Sequence, residues 1–346
     1  MANGLYIHIP FCTSKCPYCD FFSGRGTPDD AKSYGETVLR LMQDYPRLTF
    51  DTVYFGGGTP SCMDAGILEN ILNGAKRQFV ILPQSEITVE CNPASPLQTL
   101  APRYAEMGVN RISLGLQSAV DAERRALGRL AGAKEIEDGV RLFQKAGINN
   151  ISVDLMLGIP QQTPKSLQTS LEFIDSLGVC HVSAYMLKIE PGTKFDELQK
   201  QGKLTLPDED TVCDMYLQTV EFLEAHGLAQ YEISNFARPG RESRHNLKYW
   251  TLEDYLGLGP TAHSLLHGRR FYYDEEMRLC DEGPGGGEDE RLMLGLRLKQ
   301  GVPREWIPAN ISLYLKNGFM AENGKNVHFT PKGMLISNAI LAEWIG

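Results

Sequence analysis

The chain has 346 residues, 42% of them hydrophobic, enough for one large core or a large core with a satellite, and this excludes a mainly disordered polypeptide. Lys and Arg number 34 against 43 Asp and Glu, a net charge of -9, so binding to nucleic acid or to an anionic membrane by long-range attraction is not expected. Residues 1–4 lead straight into an apolar run without a basic region or cleavage pattern, and no run is long and apolar enough to span a bilayer, so the expectation is a soluble cytoplasmic protein with no integral membrane segment.

In chain order, β-rich runs at 5–10, 52–55, 86–91, 111–115, 151–157 and 181–185 alternate with helical patterns. Tyr34, Val38, Leu41 and Tyr45 recur at helical spacing after Asp29 and Asp30. Leu167, Leu171 and Ile174 do so before Gly178, and Val212, Tyr216, Val220 and Leu223 before Gly227. Strand then helix, repeated six times, predicts a parallel sheet with right-handed crossovers. Residues 281–290, DEGPGGGEDE, combine glycine, proline and acid and read as a linker. This divides the chain into a core at 1–280 and a C-terminal unit at 291–346. That unit carries helical runs at 292–298 and 311–315, a hairpin about Asn323-Gly324 and a last helix at 332–345, a helix-plus-hairpin module of winged-helix-like composition.

Three of the eight cysteines crowd into Cys12-x3-Cys16-x2-Cys19, directly after the first strand. Such crowding points to metal before disulfides. Three thiolates in one loop suit three irons of a 4Fe-4S cubane, with one iron left open. An open iron is what the amino and carboxylate groups of S-adenosylmethionine require, and its reductive cleavage gives methionine and a 5′-deoxyadenosyl radical. The alternatives are structural cysteines or a zinc site, for which a fourth ligand is needed and His8 is the nearest candidate. Tyr18, Phe21 and Phe22 offer this loop an apolar cover, or simply pack the core.

Residues 51–60, DTVYFGGGTP, end a strand in three glycines, where backbone amides approach a polar ligand without Cβ hindrance; no Gly-Lys-Ser/Thr follows, so this is not a P-loop. Glu90, Gln117 and Asp154 close or follow the third, fourth and fifth strands, whose C-terminal ends converge on one face of a parallel barrel. A shared ligand would supply the partners that such polar groups need, although each carboxylate taken singly is equally compatible with a structural role. His245-Asn246-x2-Tyr249-Trp250 joins a potential axial ligand to a flat aromatic surface, and His263 follows. A hydrogen-bonded core histidine is the plainer reading of both.

The segments YIHIPFCTSKCPYCDFFS, VYFGGGTPS, ECNP, NRISLGLQS, VDLMLGIPQQT and HNLKYWTLEDYLGLGPTAHS, in this order, resemble the HemW branch of the coproporphyrinogen dehydrogenase-like radical SAM proteins, and residues 329–333 resemble the end of that family's C-terminal domain. The resemblance implies an incomplete (β/α)6-type radical SAM barrel with a small C-terminal domain. It implies a cluster on Cys12, Cys16 and Cys19, and S-adenosylmethionine contacts at Tyr6, Gly57, Gly58, Thr59, Glu90, Gln117, Arg129 and Asp154. Arg129 enters only through this match. The branch is regarded as heme chaperones, which implies heme near His245, a heme-accepting partner protein and a reductant such as flavodoxin or ferredoxin. The alternative reading is an enzyme, either a coproporphyrinogen III dehydrogenase or a related radical SAM tetrapyrrole enzyme that opens heme; the dehydrogenases carry a further cysteine where this chain has Phe21, which weighs against the first. Two departures are the somewhat short chain and Ser61-Cys62-Met63 after the glycines, where Cys62 is read as a buried helix-start cysteine, with contact to the site as the alternative.

Overall fold

The computed structural model describes residues 2–129, 131–307 and 310–345. Strands β1 (Asn3–Ile9), β2 (Thr49–Gly57), β3 (Val80–Cys91), β4 (Arg111–Gln117), β5 (Asn150–Leu157) and β6 (His181–Met186) pair in parallel in that order. The intervening helices are α1 (Pro28–Met42), α2 (Ala65–Gln78), α3 (Leu97–Met107), α4 (Asp121–Ala126), α5 (Ala133–Lys145) and α6 (Pro164–Ser176). Their starts follow from local chemistry: Thr27 and Asp30 form a capping box with Pro28 in the first turn of α1, and Thr163 caps α6 ahead of Pro164.

Alternation along the strands sets what faces the helices and what faces the interior. Ile7, Val53, Ile112, Leu114, Val153, Leu155 and Val182 are fully buried in the core under the helices. The residues between them, Tyr54, Glu90, Ser113, Asp154 and Ser183, point to the other side, where they line a cavity. Neighbouring strands bring these polar positions into one belt, since Glu90 pairs with Ser113, Gly115 with Asp154, and Asp154 with Ser183.

After α7 (Lys194–Lys200) and α8 (Glu209–Ala225), the chain extends the sheet at both ends. Strands β7 (Ala229–Glu232) and β8 (Asn235–Ala237) join β6, and helix α9 (Arg244–Thr251) returns the chain to the opposite end. There β9 (Tyr255–Leu258) lies parallel to β1, followed by antiparallel β10 (His263–Leu266), β11 (Arg269–Tyr273) and β12 (Leu279–Pro284). The result is a twelve-stranded mixed sheet with an open seam, an incomplete barrel rather than a closed one.

Residues 281–290 do not form the extended linker that composition suggests. The first four end β12 and the last three open α10 (Glu288–Gly295), so only 285–287 lie between elements. Beyond them, β13 (Val302–Pro303), β14 (Met320–Asn323) and β15 (Asn326–Phe329) make a small antiparallel sheet flanked by α11 (Ser312–Lys316), α12 (Pro331–Leu335) and α13 (Ser337–Ala342). The predicted last helix is therefore two short ones. The hairpin turns on Gly324-Lys325, one residue later than Asn323-Gly324: Gly324 has φ 64° and Asn323 stays in the strand, as a glycine at the first central position of a II′ turn requires.

Candidate functional site

The loop after β1 folds back on itself, with Cys12 N donating to Gly24 O at 2.9 Å and Gly24 N to Pro10 O at 3.0 Å. This sets Cys12, Cys16 and Cys19 on the rim of a cavity of about 410 Å³ at the C-terminal ends of the parallel strands. All eight cysteines are free thiols. Gly57, Gly58, Thr59, Glu90, Gln117, Arg129 and Asp154 line the same cavity, so seven of the eight candidate S-adenosylmethionine contacts meet the three thiols in one space. Tyr6 does not: its hydroxyl bonds His8 Nδ1 at 3.1 Å and its ring lies against a second cavity.

The glycine run is shaped for close approach. Gly57 has φ 103°, and a Cβ there would sit 2.6 Å from the His8 ring; a Cβ on Gly58 would sit 2.6 Å from Phe11 O. Thr59 Oγ1 lies 3.1 Å from Cys12 Sγ, which ties the run to the cysteine loop.

Burial raises two carboxyls of the cavity, Asp154 and Glu90. Asp154 is pushed up to about 6, against the hydrogen bond from Ser113 Oγ at 3.0 Å and the charge of Arg129. Glu90 is pushed up to about 7, against bonds from Tyr54 OH at 2.7 Å and Gly57 N at 3.2 Å. Arg129 donates to Tyr18 OH at 2.8 Å, while its buried Nε has no partner among the described residues. Tyr54, Arg111, Ser113, Ser183 and Tyr185 also line the cavity and were missed by motif reading. The signal was present in the strand alternation, which places them on the side of Glu90 and Asp154.

These features fit a three-thiolate cluster with a bound amino acid derivative. The lining holds three cysteines and no histidine, and it carries an unsatisfied guanidinium nitrogen for a carboxylate. A zinc site fits less well. His8 engages both ring nitrogens, with Tyr6 OH and with Phe22 O at 2.9 Å, and among the described residues no three His, Cys, Asp or Glu are arranged to hold one metal ion. Phe21 is 58% exposed at the cavity mouth and so is no solvent-tight cover, and Cys62 closes a 3-10 turn with its thiol on Phe11 O.

The second cavity, about 430 Å³, is walled by Tyr6, Tyr54, Tyr185, His245, Tyr249 and Trp250, with the carboxyls of Glu90 and Glu232. His245 is buried on α9, its Nδ1 2.7 Å from Thr52 Oγ1 and its Nε2 2.8 Å from Tyr249 OH. Burial lowers it to about 3. Both nitrogens are thus already bonded, so axial ligation requires one of these bonds to open. His263 lies outside both cavities, exposed on β10, stacked on Tyr272 and bonded to Glu282.

Residues 6–174 match the Radical SAM superfamily. The heme chaperone HemW of Lactococcus lactis is 33% identical over 99% of this chain and 97% of that protein. The chain belongs to the HemW family of radical SAM proteins. The Synechocystis heme chaperone HemW is 36% identical over 89% of this chain and 81% of its own length. The solved structure of Escherichia coli coproporphyrinogen III oxidase, HemN, a radical SAM enzyme, superposes with a TM-score of 0.83 at 20% identity, covering 99% of this chain and 89% of that one. At that identity the likeness is one of fold. HemW membership makes the chain a heme-related radical SAM protein, a superfamily whose cofactors are a 4Fe-4S cluster and S-adenosylmethionine.

Proposed function

We propose that this chain is a heme chaperone: it holds a 4Fe-4S cluster and S-adenosylmethionine in the first cavity, binds heme, and passes heme to an acceptor protein in the cytoplasm. The observation that supports the cofactor half is the meeting of three free thiols with Gly57, Gly58, Thr59, Glu90, Gln117, Arg129 and Asp154 around one cavity. In this reading Cys12, Cys16 and Cys19 ligate three irons. Arg129 pairs with the methionine carboxylate, Gln117 and Asp154 receive ribose hydroxyls, and the glycine run with Thr59 lies along the methionyl end. Bound S-adenosylmethionine supplies a 5′-deoxyadenosyl radical on one-electron reduction, for which flavodoxin or ferredoxin is the proposed donor. The heme half is supported by end-to-end similarity to proteins named heme chaperone HemW, with the aromatic second cavity as the proposed heme seat. His245 would hold the heme there once freed from Thr52 or Tyr249. Residues 291–346 form the proposed C-terminal domain.

Anaerobic reconstitution followed by hemin titration and a coproporphyrinogen III assay tests this reading. The expected result is a cluster whose electron paramagnetic resonance spectrum responds to S-adenosylmethionine, about one heme per chain, and no protoporphyrinogen. Stoichiometric zinc in place of iron sinks the cluster assignment. Release of carbon dioxide from coproporphyrinogen that depends on S-adenosylmethionine replaces the chaperone with an enzyme.

A further inference from the structure

Four residues, Tyr54, Glu90, Tyr185 and Asn246, line both cavities. Tyr54 contacts a candidate cofactor residue on one side and the candidate heme segment on the other. Its hydroxyl donates to Glu90 Oε1 at 2.7 Å. Its ring stacks on His245, with centroids 5.1 Å apart and planes at 26°, and lies 6.1 Å from the ring of Tyr6. The other Glu90 oxygen accepts the Gly57 amide, at 3.2 Å. Among the described residues Tyr54 is therefore the one side chain that donates a hydrogen bond to the Glu90 carboxyl.

We propose that Tyr54 is a positioning residue that orients Glu90 toward S-adenosylmethionine and transmits occupancy of the second cavity to the first. The transmission rests on the heme reading above; the positioning role does not. A phenol is a rigid lever, because the hydroxyl cannot stay in place when the ring tilts. At 2.7 Å the bond to Glu90 is already at the preferred O–H···O length, so displacement of the ring by a flat ligand packed against Tyr54, His245 and Tyr249 weakens it. A loosened Glu90 holds S-adenosylmethionine less well. By linkage, S-adenosylmethionine then weakens heme to the same factor and favours its release.

The test uses the full chain, anaerobically reconstituted, with S-adenosylmethionine affinity read by equilibrium dialysis and hemin affinity by absorbance. Tyr54→Phe should raise the S-adenosylmethionine Kd about tenfold with unchanged iron content and Tm. In a Glu90→Ala background, where no carboxyl remains to be oriented, the same substitution should have no effect. An equal loss in both backgrounds overturns the positioning role. Saturating hemin should raise the wild-type S-adenosylmethionine Kd several-fold and leave that of Tyr54→Phe unchanged. Coupling of the same size in both proteins, or none in a wild type that does bind hemin, overturns the transmission. If the wild type binds no hemin, the heme reading and the transmission both fall, and the Glu90→Ala cycle still decides the positioning role. If it binds no S-adenosylmethionine, the cofactor reading and this proposal fall together.

Discussion

Glu232 lies at the end of β7, buried beneath the second cavity, where it accepts Ser234 N at 2.9 Å and the Asn235 side-chain amide. Burial raises it to about 7, against both bonds. Its folded value lies above its unfolded one, so between about pH 4.5 and 7 the native state holds a proton that the unfolded chain has lost, and this group's contribution falls as pH rises. His245, His181 and His8 are lowered by burial and act in the opposite sense, so the clean quantity is a difference between proteins. Glu232→Gln should gain stability relative to wild type between pH 5 and 8, on the order of 3 kcal/mol, read as the change in the Tm difference across that range. A Tm difference independent of pH contradicts it. Across the barrel, Asp154→Ala and Arg129→Ala should each weaken S-adenosylmethionine binding by roughly one to two decades, the loss of one charge-assisted hydrogen bond, with normal iron content. Unchanged affinity in both variants refutes the assigned contacts.

At the scale of elements, helix α9 is held by its first turn. Glu86, on β3, accepts both Arg244 N and His245 N, at 3.2 and 3.1 Å, beside the Ser243 cap. These are two of the amides that a helix start leaves unpaired, and a carboxylate there also faces the positive end of the helix dipole. Lys248 is buried farther along α9 and bonds Asp51, Glu253 and Ala2 O. Glu86→Ala should lower the unfolding free energy by about 1 to 2 kcal/mol and change the near-ultraviolet signal of Tyr249 and Trp250; a variant as stable as wild type shows that Ser243 alone suffices. The anchoring of this segment was not legible in the sequence, because Glu86 lies far from residue 244 in the chain. What was legible followed short-range rules. The six parallel strands showed through their β-rich runs, the cysteine loop through its spacing, and the hairpin through its glycine, although Asn323 drew the turn one residue early. The acidic glycine stretch misled because Gly285 and Gly287 sit between packed elements, where Gly285 lies tight against Arg270 and Leu265.

Across the whole molecule, the two sequence-defined units share one core. Leu292, Leu296, Val327, Phe329 and Met334 belong to the hydrophobic cluster that contains Leu5 and Val153, and Tyr216 of α8 reaches Met334 Sδ at 3.3 Å. A backbone bond crosses as well, Lys299 N to Tyr231 O at 2.9 Å. Cutting the chain after Gly286 should therefore expose buried apolar surface, and the shortened protein should melt several degrees lower and bind a hydrophobic dye; a truncated chain with wild-type Tm shows instead that the module is an independent attachment. Strands β7 to β12 escaped prediction because they are three to six residues long, too short for alternation to stand out, and the placement of β9 depends on pairing with β1 at the far end of the chain.

The place of β1 in the strand order has a consequence for synthesis. It lies in the interior of the sheet, between β2, which follows it closely in the chain, and β9, which comes about 250 residues later. While the chain emerges from the ribosome, one edge of β1 can be paired early and the other stays bare until Tyr255–Leu258 is made. A bare edge on the strand Leu5–Ile9 is a template for pairing with a neighbouring nascent chain. The cysteine loop begins at the end of that same strand, so its thiols are present long before their supporting strand has both neighbours. The loop that holds the proposed cluster thus sits on a half-paired strand until β9 is made. Yield of folded protein should accordingly rise when nascent chains are kept apart, as at a low rate of initiation, and fall when elongation is slowed.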